Sequence, residues 1–211
     1  MSARRIGVLG GTFDPIHYGH LFIAEAVRAH ARLDRVVFAP VGEPAHRAVH
    51  AAAADRAAMV RLAIADNEHF GFDSTALDQP GPVYTADTLP LMRKAYPHDE
   101  LHFIAGMDSL TISRWRRLDE VAGALARFYV VRRETARSDD IAAVIADLPP
   151  ELRARFEVLD LPLVDISASV LRAREREIRR PLVRRVAPGG HSLGRRDSRK
   201  ITRRSSRRLS K

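Results

Sequence analysis

Gly10-Gly11-Thr12-Phe13-Asp14-Pro15-Ile16-His17-Tyr18-Gly19-His20 stands between the apolar run Ile6 to Leu9 and a segment, His20 to Leu33, in which Leu21, Ala24, Val27 and Ala31 recur at helical spacing. A strand, two glycines and a helix start in that order make a cradle for phosphate. Glycine lets the backbone come close to a ligand, and the free amides of a first helical turn, with the dipole behind them, favour an anion. His17 and His20 are three residues apart, so in that turn or the loop entering it their rings reach the side of those amides. Three readings of the pair stand at this point: contacts to phosphate, ligands to a metal with Asp14 as third donor, or side chains that only cap and pack the helix. A dinucleotide-binding fold opens in the same way, but GxGxxG is absent, and Ala39-Pro40 occupies the place of its acidic ribose ligand.

Outward from this stretch, Arg35 to Ala39, Leu101 to Ala105 and Phe128 to Val131 are further short runs rich in apolar and β-branched residues that read as buried strands. Helices are expected between and after them: Asp55 to Asp66, with Ala58, Met59, Leu62 and Ala63 at helical spacing, then Thr85 to Tyr96 and Asp139 to Ala146. Alternating strands and helices predict an α/β, Rossmann-like, doubly wound and mostly parallel sheet with helices on both faces. Ligands are then expected at the carboxyl ends of the strands.

Composition sets the bounds. The 211 residues are 45% apolar and 29% charged, enough for one sizeable core. No run approaches the roughly 18 apolar residues of a membrane span, and the N-terminal apolar stretch is too short for a signal peptide, so a soluble, cytoplasmic protein with no membrane partner is expected. The absence of cysteine excludes disulfides, thiolate zinc sites and cysteine nucleophiles. The net charge of +9 is unevenly spread: residues 173–211 hold 15 of the 35 Lys and Arg but three of the 26 Asp and Glu, leaving 20 basic against 23 acidic side chains in residues 1–172. A domain over residues 1–188 and a basic, disordered tail over 189–211 are expected, because the tail has too little apolar surface to offset the entropy of ordering it.

GGTFDPIHYGH resembles the GxFDPxHxGH signature of the HxGH nucleotidylyltransferases, and the match is dense and position-specific. Asp165-Ile166-Ser167-Ala168-Ser169-Val170-Leu171-Arg172 resembles the ISSTxxR motif of the same superfamily. By itself this stretch reads as a helix start that Ser167 or Ser169 could cap, with Arg172 one turn further on. Two stretches resemble the nicotinate mononucleotide adenylyltransferase family specifically: Gly81-Pro82-Val83-Tyr84-Thr85-Ala86-Asp87-Thr88-Leu89 is similar to GPxYTxDTL, and Gly106-Met107-Asp108 with Trp115 is similar to its GxD and downstream Trp. Pro44-Ala45-His46-Arg47 falls where that family has PPHK, with Arg47 in place of the lysine. The resemblance covers about residues 5 to 188.

The resemblance implies an enzyme that transfers the adenylyl group of ATP to nicotinate mononucleotide, giving deamido-NAD and pyrophosphate. It implies His17, His20 and Arg172 as catalytic residues. Gly10, Gly11, Thr12, Phe13, Gly106, Asp108, Arg133, Ser167 and Ser169 would contact ATP, and Arg47, Tyr84, Thr85, Asp87 and Trp115 the mononucleotide. Mg²⁺ is expected to arrive with ATP, with no metal ligand from the protein. Siblings of the same chemistry act on nicotinamide mononucleotide or another phosphate acceptor. A reading of a different class makes the tail a nucleic-acid-binding arm, but without aromatic residues for base stacking it promises nonspecific polyanion binding rather than a specific nucleic-acid partner. Homo-oligomerisation is left open.

Overall fold

Ile6, Val8 and Leu9 are all buried, in a strand whose side chains point alternately to two packed faces, and this near-continuous apolar run places the strand in the middle of a sheet. The computed structural model describes residues 3–45, 48–107, 115–132, 139–161 and 168–174. All of them belong to one compact unit, Met1–Arg174. In chain order the elements are β1 (Arg5–Gly11), α1 (Tyr18–Ala31), β2 (Arg35–Pro40), β3 (Glu43–Pro44), α2 (Ala53–Ile64), β4 (Phe70–Phe72), β5 (Pro82–Val83) and α3 (Thr85–Ala95). There follow β6 (Glu100–Gly106), α4 (Leu118–Gly123), β7 (Arg127–Arg132), α5 (Asp139–Ile145), α6 (Pro150–Arg153) and β8 (Phe156–Asp160). Residues 168–174 form a last described helix, α7.

Six strands make one sheet in the order β4-β2-β1-β6-β7-β8, with every pair parallel. This is the doubly wound arrangement, and its order reverses direction between β1 and β6, the place where such folds bind ligands at the carboxyl ends of their strands. Ile6, Val8, Leu101, Phe103, Phe128 and Val130 face one core with Leu89 and Met92 of α3, Val121 of α4 and Ile141 of α5. Leu9, Val36, Phe38, Ile104 and Tyr129 face the other with Ala24 and Val27 of α1 and Val60 and Ile64 of α2. Helices on both faces agree with the expected fold class.

The expected stripe on α2 is corrected. Ala58, Leu62 and Ala63 are exposed and Met59 is only partly buried, while Arg56, Ala57, Val60 and Ile64 turn inward. An alanine-rich segment offers several apolar stripes of similar strength, and here the inward one carries a cation. A second, two-stranded sheet pairs Glu43 with Pro82 and Pro44 with Val83. It ties the loop after β2 to the segment that starts α3. Within the described residues no helix is long and apolar enough to cross a membrane. The expected boundary at residue 188 and the tail 189–211 lie outside the described residues.

Candidate active site

At the carboxyl end of β1 the chain turns through Thr12, Phe13 and Asp14 before α1 begins. Phe13 holds a left-handed φ of 49° and is buried, its ring edge-on to His20 at 5.1 Å and against Phe38 at 5.9 Å. The two glycines make room for the protein's own rings: a Cβ on Gly11 would meet the Phe13 ring at 3.0 Å, and one on Gly10 would meet Phe103 at 3.1 Å. Their smallness, read from the sequence as space for a ligand, is used first to seat Phe13 and Phe103.

His17 is the N-cap of α1, in extended conformation, and His20 is the third residue of its first turn. The His17 backbone N–H donates to His20 Nδ1 at 3.2 Å, and the two rings lie 3.9 Å apart between centroids. Capping thus engages Nδ1 of His20 as an acceptor, so in the neutral ring the proton sits on Nε2. Both rings are partly exposed at the helix N-terminus. Asp14 is turned elsewhere: its carboxylate accepts from the backbone N–H groups of His50 at 2.8 Å and Ala51 at 3.0 Å, with His50 Nδ1 3.2 Å away. Burial alone would raise this carboxyl. The backbone donors of His50 and Ala51, with the His50 ring, outweigh burial and hold it below the usual carboxylate range. The Asp14 carboxylate therefore clamps the loop after β2 rather than joining the two histidines.

Helix α7 brings Arg172 to the same turn, where its guanidinium donates to the Asp14 backbone carbonyl. Ser169 lies inside the described helix and is exposed. From the side of α2, Arg56 donates to the Thr12 carbonyl at 2.6 Å. Neither Arg56 nor His50 was anticipated as part of this assembly. Arg56 carried a legible signal, since it stands four and eight residues before Val60 and Ile64 on one helical face.

On the acceptor side, Tyr84 is the N-cap of α3 and Thr85 its first residue, both partly buried. The Arg116 guanidinium lies 4.4 Å over the Tyr84 ring, and Arg117 pairs with Asp87 and Glu120. Asp87 thus has an arginine partner that its motif did not foretell. Trp115 sits edge-on to Phe103 at 5.6 Å and to Phe128 at 5.2 Å, partly buried against the core under β6 and β7. Gly106 ends β6 beside the switch point. Behind these loops the Tyr96 hydroxyl donates to Asp73 at 2.9 Å, and burial, aided by the Asp73 charge, pushes Tyr96 up to about 12. Arg47, Asp108, Arg133 and Ser167 lie outside the described residues. Among those described there is no group of three or more His, Asp or Glu that could hold a metal ion.

A parallel doubly wound sheet with a histidine-capped helix at its switch point defines a cytidylyltransferase-like protein, and residues 8–180 match the family model of that description. The probable nicotinate-nucleotide adenylyltransferase of Roseiflexus sp. (strain RS-1) is 45% identical over 181 residues, covering 82% of this chain and 87% of that one. The one from Synechococcus sp. (strain JA-3-3Ab) is 40% identical over 172 residues, covering 80% and 82%. The chain belongs to the nicotinate-nucleotide adenylyltransferase family. Among solved structures, the fold is similar to that of Plasmodium falciparum nicotinic acid mononucleotide adenylyltransferase complexed with NaAD, with a TM-score of 0.64 at 16% identity over 81% of this chain and 83% of that one. The same enzyme complexed with APC gives 0.61 at 17% identity, with the same coverage.

Proposed function

We propose that this chain transfers the adenylyl group of ATP to nicotinate mononucleotide, releasing pyrophosphate and forming deamido-NAD. One observation carries the reading beyond family membership: His17 and His20 sit on the first turn of a helix that leaves the central strand, with Arg172 hydrogen-bonded to the same turn. A phosphate oxygen of the mononucleotide attacks the α-phosphorus of ATP. A new P–O bond forms, and the bond to the β-phosphate oxygen breaks, its electrons leaving with pyrophosphate. No protein nucleophile is required, so the chain's work is to hold two anions in line and to stabilise the charge that gathers on the α-phosphoryl oxygens. His20 would donate from Nε2 to those oxygens, and His17 beside it would share the task. Arg172, Ser167, Ser169, Arg133 and the Gly10–Phe13 backbone would hold the remaining phosphates, with Gly106 and Asp108 at the nucleoside.

Mg²⁺ arriving with ATP would offset the negative charge of its phosphates. Tyr84, Thr85, Asp87, Trp115 and Arg47 are assigned to the mononucleotide by their motifs. The β3–β5 pairing supports this assignment, since it brings the loop that leads to Arg47 beside the start of α3. The test is product analysis after incubation with ATP, Mg²⁺ and either nicotinate or nicotinamide mononucleotide. Deamido-NAD formed faster than NAD is the expected result. A preference for the amide corrects the acceptor, and formation of neither product overturns the reading.

A further inference from the structure

Arg56 heads the fully buried large side chains of the described residues, with 0% of its surface exposed. Among those residues it has no carboxylate within hydrogen-bond distance. Its partners are four carbonyl oxygens: Nη1 donates to Thr12 at 2.6 Å and Val41 at 2.8 Å, Nη2 to Gly42 at 2.6 Å, and Nε to Ala51 at 3.2 Å. These carbonyls come from the turn after β1, the loop after β2 and the residues just before α2. Burying a guanidinium is strongly unfavourable unless its donors are all met, and an apolar side chain would fill the same space without that cost. What the guanidinium adds is a rigid planar fork that fixes several acceptors at set angles.

The consequence is geometric. In a trans peptide the carbonyl and the following N–H point in opposite directions. At Val41–Gly42 the carbonyl turns to Arg56 while the Gly42 N–H donates to the Ala76 carbonyl at 3.2 Å. At Thr12–Phe13 the same logic turns the Phe13 N–H away from Arg56. One side chain therefore sets both the peptide orientation of the histidine-bearing turn and its distance from the loop that leads to the acceptor.

We infer that Arg56 is a positioning residue for adenylyl transfer, whose buried fork fixes the turn proposed to hold ATP against Val41 and Gly42 of the loop after β2 and so sets the in-line geometry of the two substrates. This rests on the functional reading above. Misplacement of reacting groups by about 1 Å lowers a rate on the order of 100-fold without abolishing the binding of either partner.

The experiment compares wild type, Arg56→Lys and Arg56→Met for thermal midpoint, for the affinity of ATP and of nicotinate mononucleotide measured singly, and for kcat per folded molecule. Lysine keeps the charge but offers one nitrogen where the fork's three nitrogens reach four carbonyls. Arg56→Lys is therefore expected to remain folded and to bind each substrate within about threefold of wild type, with kcat lowered about 100-fold. Arg56→Met is expected to be less stable and at least as slow. A folded Arg56→Lys with kcat within about threefold of wild type overturns the inference, as does a loss confined to the affinity for ATP. Failure of both variants to fold also overturns it, in favour of a purely structural role. If the wild-type chain forms no dinucleotide, the functional reading itself fails, and this inference with it.

Discussion

His20 serves the fold through one ring nitrogen and, in the proposed mechanism, the chemistry through the other. Its Nδ1 accepts the His17 backbone N–H and closes the first turn, so in the neutral ring the proton sits on Nε2, the nitrogen the proposed mechanism uses. Asparagine places an oxygen where Nδ1 stands and nothing where Nε2 stands. His20→Asn is therefore expected to hold stability within about 0.5 kcal/mol, while His20→Ala loses a further 0.5–2 kcal/mol or so with the cap. Both variants should lose about 100-fold or more in kcat, because each removes the donor proposed for the α-phosphate. Denaturant titration and steady-state rates separate the two effects, and near-normal turnover in folded His20→Asn would remove His20 from the mechanism. His102 is the opposite case, a buried histidine at 1% exposure whose ring nitrogens have no hydrogen-bond partner among the described residues, with Glu100 3.8 Å away and the Tyr129 ring stacked at 5.9 Å. Burial first, then the Arg5 and Arg127 charges, hold it below the usual histidine range against the pull of Glu100. The unfolded chain takes up this proton near pH 6.5, as an unperturbed histidine does, and the folded chain only at lower pH. Its contribution to stability is thus complete above about pH 6.5 and lost as pH falls through the folded value. His102→Leu should flatten the fall in thermal midpoint between pH 7.5 and 5, and equal slopes in wild type and variant would refute this.

At the scale of elements, what was legible in the sequence follows burial. β1, β2, β6 and β7 occupy the centre of the sheet and are covered on both faces, so each is written as an apolar run that no surface element would tolerate. The outer strands were not anticipated. β4 is three residues long, and β8, with Glu157 and Asp160, has a single buried residue, Leu159, so neither carries a strong period. The histidine-bearing turn was legible because glycines and paired histidines at a helix start are rare enough to mean something together. The groups that hold that turn were not, because Arg56 breaks the expectation that arginine stays outside, and the bonds from His50 and Ala51 to Asp14 span 36 and 37 residues of chain. The loop after β2 belongs to this hidden layer. Gly42 packs so closely under the next segment that a Cβ would stand 2.7 Å from the Leu77 carbonyl oxygen, a backbone atom that cannot swing aside. Gly42→Ala should therefore destabilise the chain by about 1–3 kcal/mol as an overpacking change. Since Gly42 also accepts from Arg56 and pairs with Ala76, the displaced loop should lower turnover beyond any loss of folded protein. Thermal melts with parallel rate measurements test both parts, and an alanine variant with unchanged midpoint would show that the loop yields freely.

At the scale of the whole chain, charge and catalysis are separately placed. Residues 1–172 carry 20 basic and 23 acidic side chains, so their net charge does not attract anionic substrates, and the proposed mechanism assigns that task to local groups, Arg172 and the amides of α1. The excess lies in the tail, where residues 189–211 hold nine Lys and Arg against one Asp. The family match ends at residue 180, short of that stretch. The residues proposed for adenylyl transfer end at Arg172. Removing residues 189–211 is therefore expected to leave kcat and the KM for both substrates within about twofold, since none of the residues proposed to contact either substrate is removed. The same deletion should abolish retention on immobilised duplex DNA at low salt, because counterion release from phosphates is what such a tail offers. The full-length chain should lose that retention steeply between about 50 and 200 mM salt and show no preference among DNA sequences. Turnover below a tenth of the full-length rate would place the tail in the enzyme, and DNA retention that survives the deletion would move polyanion binding onto residues 1–188, whose 26 basic and 25 acidic side chains nearly balance.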